Sequence, residues 1–504
     1  MPPAPPFLMT TGTAPLVLVA PHGGRRDAAR RPWGSAPLKV NDLHTAALTA
    51  ELAARTGAAA LINEAQDRND VDLNRVSDAN QHAPGFLERL AELVDGAVRR
   101  HGHATLLALH GWNVVQPVVD LGLGCLPGGS QRSAAVSPAF AARALPCLLE
   151  QYAARGIAAT VGARYPARHR ENLLQLFTPR YAEDSRPLVR ALAARAALVD
   201  AVQLELGIAL RWPGAWRSRF LDACAAALPA LAAAPEPASA PPERTPAAEP
   251  PPPVPRRLEF AGAELSGLLG LDAGRTGRLL LFPNDGGLVL FTGERLGLEP
   301  PGASGRLSLE PSAGGDLAVR YEGPLLRFPD TTPFLDLETG LARAHLVEGE
   351  VDLRFTAAHA QQGGGEFGAV TGSVALDGVR QSVVAHAFAE EGAPAGPWPR
   401  LRAALDLGDG GSLALTLGLP GGQASGFVCR DGRHVAVAAA RATFGPADAP
   451  LAHVTLDVDL ADAGRLRVVA RALHSLPVIR AGGRAPVRIE FAVCPAGWLE
   501  VGGL

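Results

Sequence analysis

Four short segments at the ends of apolar runs hold the residues able to do chemistry. They are Pro21-His22-Gly23-Gly24, Asp72-Leu73-Asn74-Arg75, Leu109-His110-Gly111 and Gln203-Leu204-Glu205-Leu206-Gly207. Two imidazoles, a carboxylate and an arginine make up the set that metal-assisted amide hydrolysis needs: ligands for zinc, a base for the water, and a cation for substrate charge. The glycines after His22 let the backbone turn tightly past a ligand. His110 follows Leu106-Leu107-Ala108-Leu109, so its imidazole projects past a wholly apolar run, whereas His101 and His103 belong to the opposite end of that run. Glu205 sits inside an apolar run, where a charge is costly unless it is paired or functional. Such a place raises a carboxyl pKa, as a general base requires. Arg75 either forks onto a substrate carboxylate, with Asn74 as neutral partner, or pairs with Asp70, Asp72 or Asp78. Asp42, in Asn41-Asp42-Leu43-His44-Thr45, reads either as an oxygen ligand or as a helix N-cap, with His44 and Glu64 as rival ligands.

These residues share one rim only if neighbouring strands deliver them. Strands are expected at Leu16–Ala20, Ala58–Ile62, Thr105–Leu109, Ala158–Val161 and Ala201–Leu206. Helices are expected at Asp42–Arg55, Phe86–Arg100, Pro138–Arg155 and Pro187–Val199, with Asn41 or Asp42 capping the first and Pro138 at N1 of the third. The alternation predicts an α/β domain over residues 1–231, with a mainly parallel sheet covered by helices. Ligands in such folds bind at the carboxyl ends of strands, where His22, His110 and Glu205 fall. Residues 232–257 are Pro/Ala-rich without apolar periodicity and read as an extended linker. From 258 to 504 only strands and turn signals follow, predicting an all-β sandwich or barrel-like domain, divisible into two β-subdomains.

The chain has 504 residues, 47% of them hydrophobic, enough for real cores. Its net charge of −3 and lack of a basic block give no footprint for nucleic acid. Five scattered cysteines without a CxxC argue against a disulfide framework and fit a reducing cytoplasm. The apolar run Pro15–Ala20 lacks a charged region before it and reads as a strand rather than a signal peptide. No stretch approaches the ~18–20 apolar residues needed to span a bilayer.

Together the four segments resemble the N-formylglutamate amidohydrolase family, part of a wider group with zinc carboxypeptidases and aspartoacylase-like enzymes. The resemblance runs from Pro15 to about Leu210. The family's Pro-His-Ser-Gly-like segment is matched by Pro21-His22-Gly23-Gly24, and its Asp opening the first helix by Asp42. Asp-x-Asn-Arg is matched by Asp72–Arg75, Leu-His by Leu109-His110, and Gln-x-Glu by Gln203–Glu205; Asp120–Gly124 resembles a family glycine segment. The chain departs from the pattern where Gly111-Trp112 replaces Ser-His and where Gly207 begins the region of the family's Asn-Arg. It departs again where Glu171–Thr178 replaces a glycine-rich loop. The resemblance implies a zinc amidohydrolase acting on a C–N bond other than a peptide bond. It gives His22, Asp42 and His110 as ligands, Glu205 as base and Arg75 as substrate or oxyanion partner. The implied substrate is a small carboxylate-bearing N-acyl amino acid. In the second half, Gly368–Val374 and His386–Asp409 resemble lipocalin-like double β-domains of the hydroxyneurosporene-synthase/tocopherol-cyclase type, with His386 and Trp398 as residues lining a pocket or packing. Two other readings remain open. In one, a non-catalytic first half accompanies a β-domain that binds a hydrophobic ligand or partner; in the other, the enzyme cleaves peptide or cell-wall amides.

Overall fold

The computed structural model describes residues 7–23, 39–126, 134–233, 256–262, 264–271, 276–283, 287–294, 307–311, 316–330, 337–359, 365–391, 400–407, 411–418, 424–430, 433–444, 453–471, 474–480, 487–494 and 497–502. Gly24, Trp398 and residues 234–255 of the expected linker lie outside them. The described residues fall into two compact units, one ending at Ala233 and the other beginning at Arg256.

The first unit is built on seven strands: β1 (Phe7–Thr10), β2 (Leu16–Ala20), β3 (Ala59–Asn63), β4 (Ala104–Gly111), β5 (Val118–Gly122), β6 (Ala158–Val161) and β7 (Val199–Leu206). Their order is β1-β3-β2-β4-β7-β5-β6. The pairs β2–β3, β2–β4, β4–β7 and β5–β6 are parallel, while β1–β3 and β5–β7 are antiparallel. The sheet is therefore mixed. The reversal at β5 turns Asp120 back alongside Glu205.

Helices α1 (Thr45–Thr56), α2 (Val76–His82), α3 (Pro84–His101), α4 (Pro138–Ala153), α5 (Pro187–Ala193), α6 (Ile208–Arg211) and α7 (Ala215–Leu231) accompany the sheet. In α3 the positions Phe86, Leu87, Leu90, Leu93, Val94 and Ala97 recur at helical spacing. They pack on Val17, Val19, Leu61, Leu106 and Ala108. The helix begins with Pro84 and ends at Gly102, whose φ of 78° suits a residue without Cβ. Ser137 caps α4 by accepting from the Phe140 amide, with Pro138 in the first turn as expected. The first helix starts later than expected. His44, at φ 66°, precedes Thr45, and no side chain caps this helix. Asp42 is thus not an N-cap, and its carboxylate is committed elsewhere.

The second unit is antiparallel throughout. Strands β8 (Arg256–Gly262), β9 (Leu265–Leu271), β10 (Thr276–Pro283), β11 (Leu288–Glu294), β12 (Ser308–Pro311), β13 (Leu317–Phe328), β14 (His345–His359), β15 (Gly365–Leu376) and β16 (Val379–Glu391) form one sheet. The pairs β11–β13 and β16–β8 close eight of these strands into an up-and-down barrel of lipocalin type, with β12 added at the side of β13. Closure selects the barrel-like form over the sandwich, the two forms expected from the sequence. Along β14, buried Val347, Val351, Leu353 and Phe355 alternate with exposed Glu348, Glu350, Asp352 and Arg354, the period that a barrel wall requires. Nine further strands between Arg400 and Gly502 form a second antiparallel sheet. His386 is exposed on the barrel strand β16. Among the described residues, no helix is long and apolar enough to cross a membrane.

Candidate metal centre

The carboxyl ends of β2, β4 and β7 open on one side of the first sheet. His22 follows β2, His110 is the penultimate residue of β4, and Glu205 is its register partner on β7. Asp42 is brought to the same place by its main chain, which donates from N to the His22 carbonyl at 2.8 Å. His22 Nδ1 lies 3.3 Å and His110 Nδ1 3.2 Å from the same atom, Asp42 Oδ2. Ligating atoms of these three residues fall within 4.8 Å of one another, and all three side chains are buried. The imidazoles meet edge to face, with centroids 5.0 Å apart.

Neighbouring groups orient this cluster. His22 Nε2 is 2.7 Å from Asp72 Oδ1, which fixes the ring from its far side. A carboxylate on the outer nitrogen of a ligating histidine sets its tautomer and orientation. Arg68 Nη1 donates to Asp42 Oδ1 at 2.9 Å, leaving Oδ2 to face the histidines. Burial pushes the Asp42 pKa up, but hydrogen bonds to His110 and His22 and the charges of His22 and Arg68 hold it well below the usual carboxylate range. Burial likewise opposes the shift of Asp72, whose pKa is also low because of His22, Arg68 and Arg75. Burial lowers the His110 pKa against the pull of Asp42, favouring the neutral form that binds metals. His110 Nε2 is buried without a hydrogen-bond partner. Two imidazoles and a carboxylate with an orphaned ring nitrogen suit a borderline cation such as zinc.

The residues weighed as rivals are elsewhere. His44 lies against the Trp212 ring at 4.3 Å, and burial, with Arg211 and Arg217, lowers its pKa to about 4. Glu64 is half-buried, and neither it nor His44 belongs to the cluster of groups that converge among the described residues.

Glu205 is buried, and Gln203 Nε2 donates to its Oε1 at 2.7 Å, with Asn172 Nδ2 donating to Gln203 in turn. Burial first, and the charges of Asp42 and Asp120 next, raise the Glu205 pKa well above the usual value against Arg68 and Arg211. The cluster lies at a cleft of about 460 Å³, whose lining includes Asp42, His110, Glu205, Lys39, Arg75 and His169. Lys39 is the sole lysine of the chain. Arg75 stands at the cleft with its Nη1 3.3 Å from His169 Nδ1 and its Nε 3.8 Å from Asp72 Oδ2. Asn74 also lines the cleft, while its Oδ1 accepts from the Leu173 amide at 3.2 Å.

Of two further contributors, Arg68 escaped the reading of the sequence, and Asp120 entered it only as the first residue of the segment Asp120–Gly124, with no role of its own. Arg68 carries no motif; its only signal is the polar run Asn63–Asp70. Asp120, fully buried on β5, accepts from Thr160 Oγ1 and from the main-chain amides of Ala163, Arg164 and Tyr165, fixing one wall of the cleft. A carboxylate flanked by Val119 and Leu121 was its visible sign.

No family model matches the chain, and no curated protein matches it. Solved structures similar to it include an N-formylglutamate amidohydrolase from Ralstonia eutropha JMP134. That match is 17% identical, covers 44% of this chain and 96% of that one, and has a TM-score of 0.30. A putative AttH from Nitrosomonas europaea is 10% identical, over 50% of this chain and 92% of that one, with a TM-score of 0.31. Kievitone hydratase from Nectria haematococca is 8% identical, over 50% and 90%, with a TM-score of 0.29.

Proposed function

We propose that the first unit is a zinc-dependent amidohydrolase that cleaves the amide of a small, carboxylate-bearing N-acyl amino acid. The observation that carries this reading is the convergence of His22 Nδ1 and His110 Nδ1 on Asp42 Oδ2, beside buried Glu205 on the adjacent strand. His22, Asp42 and His110 would hold the metal. When bound, zinc polarises a carbonyl and lowers the pKa of water. Glu205 takes the proton of the attacking water and returns it to the leaving nitrogen. Burial and the charge of Asp42 raise its pKa, the direction a general base requires. Gln203 keeps the carboxylate aimed while it does so. Arg75, with Asn74 beside it, receives the substrate carboxylate at the rim of the cleft.

Metal analysis of the purified chain together with a panel of N-acyl amino acids tests the reading. About one zinc per chain and hydrolysis of at least one member support it. A stable, metal-free and inactive chain would return the molecule to a binding protein.

Arg75→Lys tests the anchoring role. A guanidinium grips a carboxylate through two parallel hydrogen bonds that an ammonium does not reproduce. The kcat/KM for carboxylate-bearing substrates will fall by about 1.5–3 kcal/mol, the worth of a charged hydrogen bond. Neutral amide analogues will lose less, and zinc content will hold. Equal losses on both substrate types would make Arg75 an oxyanion partner. No loss on either would leave it a cleft residue paired with Asp72.

A further inference from the structure

Arg211, at the end of α6, takes no part in the reaction described above, yet it is fully buried. Its Nε donates to the Leu206 carbonyl at 3.0 Å, Nη1 to the Leu43 carbonyl at 2.8 Å, and Nη2 to the Trp112 carbonyl at 3.1 Å. These three carbonyls belong to three separate segments. Leu43 follows Asp42, Leu206 follows Glu205, and Trp112 lies just past His110. The Trp112 amide also donates to the Leu206 carbonyl at 2.8 Å, so two of the segments are tied twice.

Gly111 makes room for this arrangement. A Cβ there would stand 2.6 Å from Arg211 Nη1 and 3.1 Å from the Asp42 Cβ. Burial lowers the Arg211 pKa to about 10, which still leaves the side chain charged at neutral pH, facing the charges of Asp42 and Glu205. A buried cation is an expensive way to fill space, and apolar residues often fill such positions at no loss of stability. A planar fork that reaches three main-chain carbonyls does what an apolar side chain does not: it fixes the distances between the chains that bear them.

We propose that Arg211, with Gly111, is a positioning residue that sets the spacing of Asp42, His110 and Glu205 by clamping the main chain beside each of them. Its metal-binding readout rests on the zinc reading above; its geometric readout does not.

The test compares the full-length chain with Arg211→Met, Arg211→Lys and Gly111→Ala. Four quantities are read: the melting temperature, the imidazole ¹⁵N shifts of the metal-free chain labelled at histidine rings, and the dissociation constant and visible spectrum of added Co²⁺. Arg211→Met will move the His110 ring signals and weaken cobalt binding by about 10–100-fold, the range seen when groups that orient ligands are removed. Arg211→Lys will recover part of both effects. Gly111→Ala, which keeps the guanidinium but crowds it, will move the same signals. Added to Arg211→Met it will cause less change than it does alone, because the crowding against the guanidinium is gone and only the contact with the Asp42 Cβ remains. A lower melting temperature with wild-type ring shifts and wild-type cobalt affinity would overturn the proposal and leave Arg211 a structural residue. If Arg211→Met does not fold, Gly111→Ala decides by the same readouts. If the wild-type chain takes up no cobalt, the metal reading falls, while the ring shifts still decide for or against the clamp.

Discussion

Alanine at His22 or at His110 will strip the chain of most of its zinc and leave it folded. Each substitution removes one of two nitrogens that meet on Asp42 Oδ2, and the other side chains of the cluster are too few to hold a tetrahedral cation tightly. The fold should survive because the hydrophobic core lies elsewhere. Val17, Val19, Leu61, Leu106 and the apolar face of α3 are untouched by either change. His22→Ala will cost the metal-free chain more stability than His110→Ala. It leaves Asp72 Oδ1 without its 2.7 Å imidazole partner, whereas His110 Nε2 has no partner to lose. Asp72→Asn supplies the graded control. It keeps His22 as a ligand and replaces the charged acceptor that orients it with a neutral amide, so zinc affinity will fall by about 10–100-fold rather than collapse. Metal content by emission spectroscopy after gel filtration, with circular dichroism on the same samples, reads all three variants. Full zinc occupancy in both alanine variants would place the metal elsewhere.

The strands that carry this site are readable because each is an apolar run that ends on a residue out of keeping with it. Leu16–Ala20 runs into Pro21-His22, Leu106–Leu109 into His110, and Glu205 interrupts Val202–Leu206. Burial demands the runs, and chemistry demands the interruptions. The less legible parts depend on long-range geometry. Asp42 suits a helix N-cap and a metal ligand equally well as a sequence. The left-handed backbone at His44 decides between them, because it starts the helix at Thr45 and leaves the Asp42 carboxylate to His22, His110 and Arg68. Arg68 and Arg211 look like any arginine in a chain rich in them. Their meaning comes from partners 26 and 168 residues away. Strand β5 is hidden by the carboxylate in its centre, whose acceptors are filled by a loop more than forty residues on. In the second unit, alternation identifies the strands and their two faces. It says nothing of closure, which rests on the pairing of β8 with β16 and of β11 with β13.

Glutamine at Glu205 will separate binding from catalysis. The substitution keeps the volume of the side chain and its position opposite His110, so Asp42 and the two histidines retain their geometry and zinc content will match the wild type. What is lost is the proton acceptor, and turnover will drop by about 10²–10⁴-fold, the usual contribution of general-base catalysis. The hydrogen bond with Gln203 makes the change milder for the fold than for the reaction. Gln203 Nε2 now donates to Oε1, and an amide oxygen in its place accepts the same bond. The pH profile provides the second half of the test. An acid whose pKa is raised loses its basic form at a higher pH than usual. The acid limb of wild-type kcat/KM will therefore lie above the ordinary glutamate value of about 4.3. As pH falls through that limb, Glu205 takes up a proton and activity declines; in the glutamine variant the residual activity will lack it. The charge of Asp42 is the largest influence on Glu205 after burial, and it acts in the same direction. Full activity with a wild-type profile in Glu205→Gln would transfer the base to another carboxylate and leave Glu205 a buried partner of Gln203.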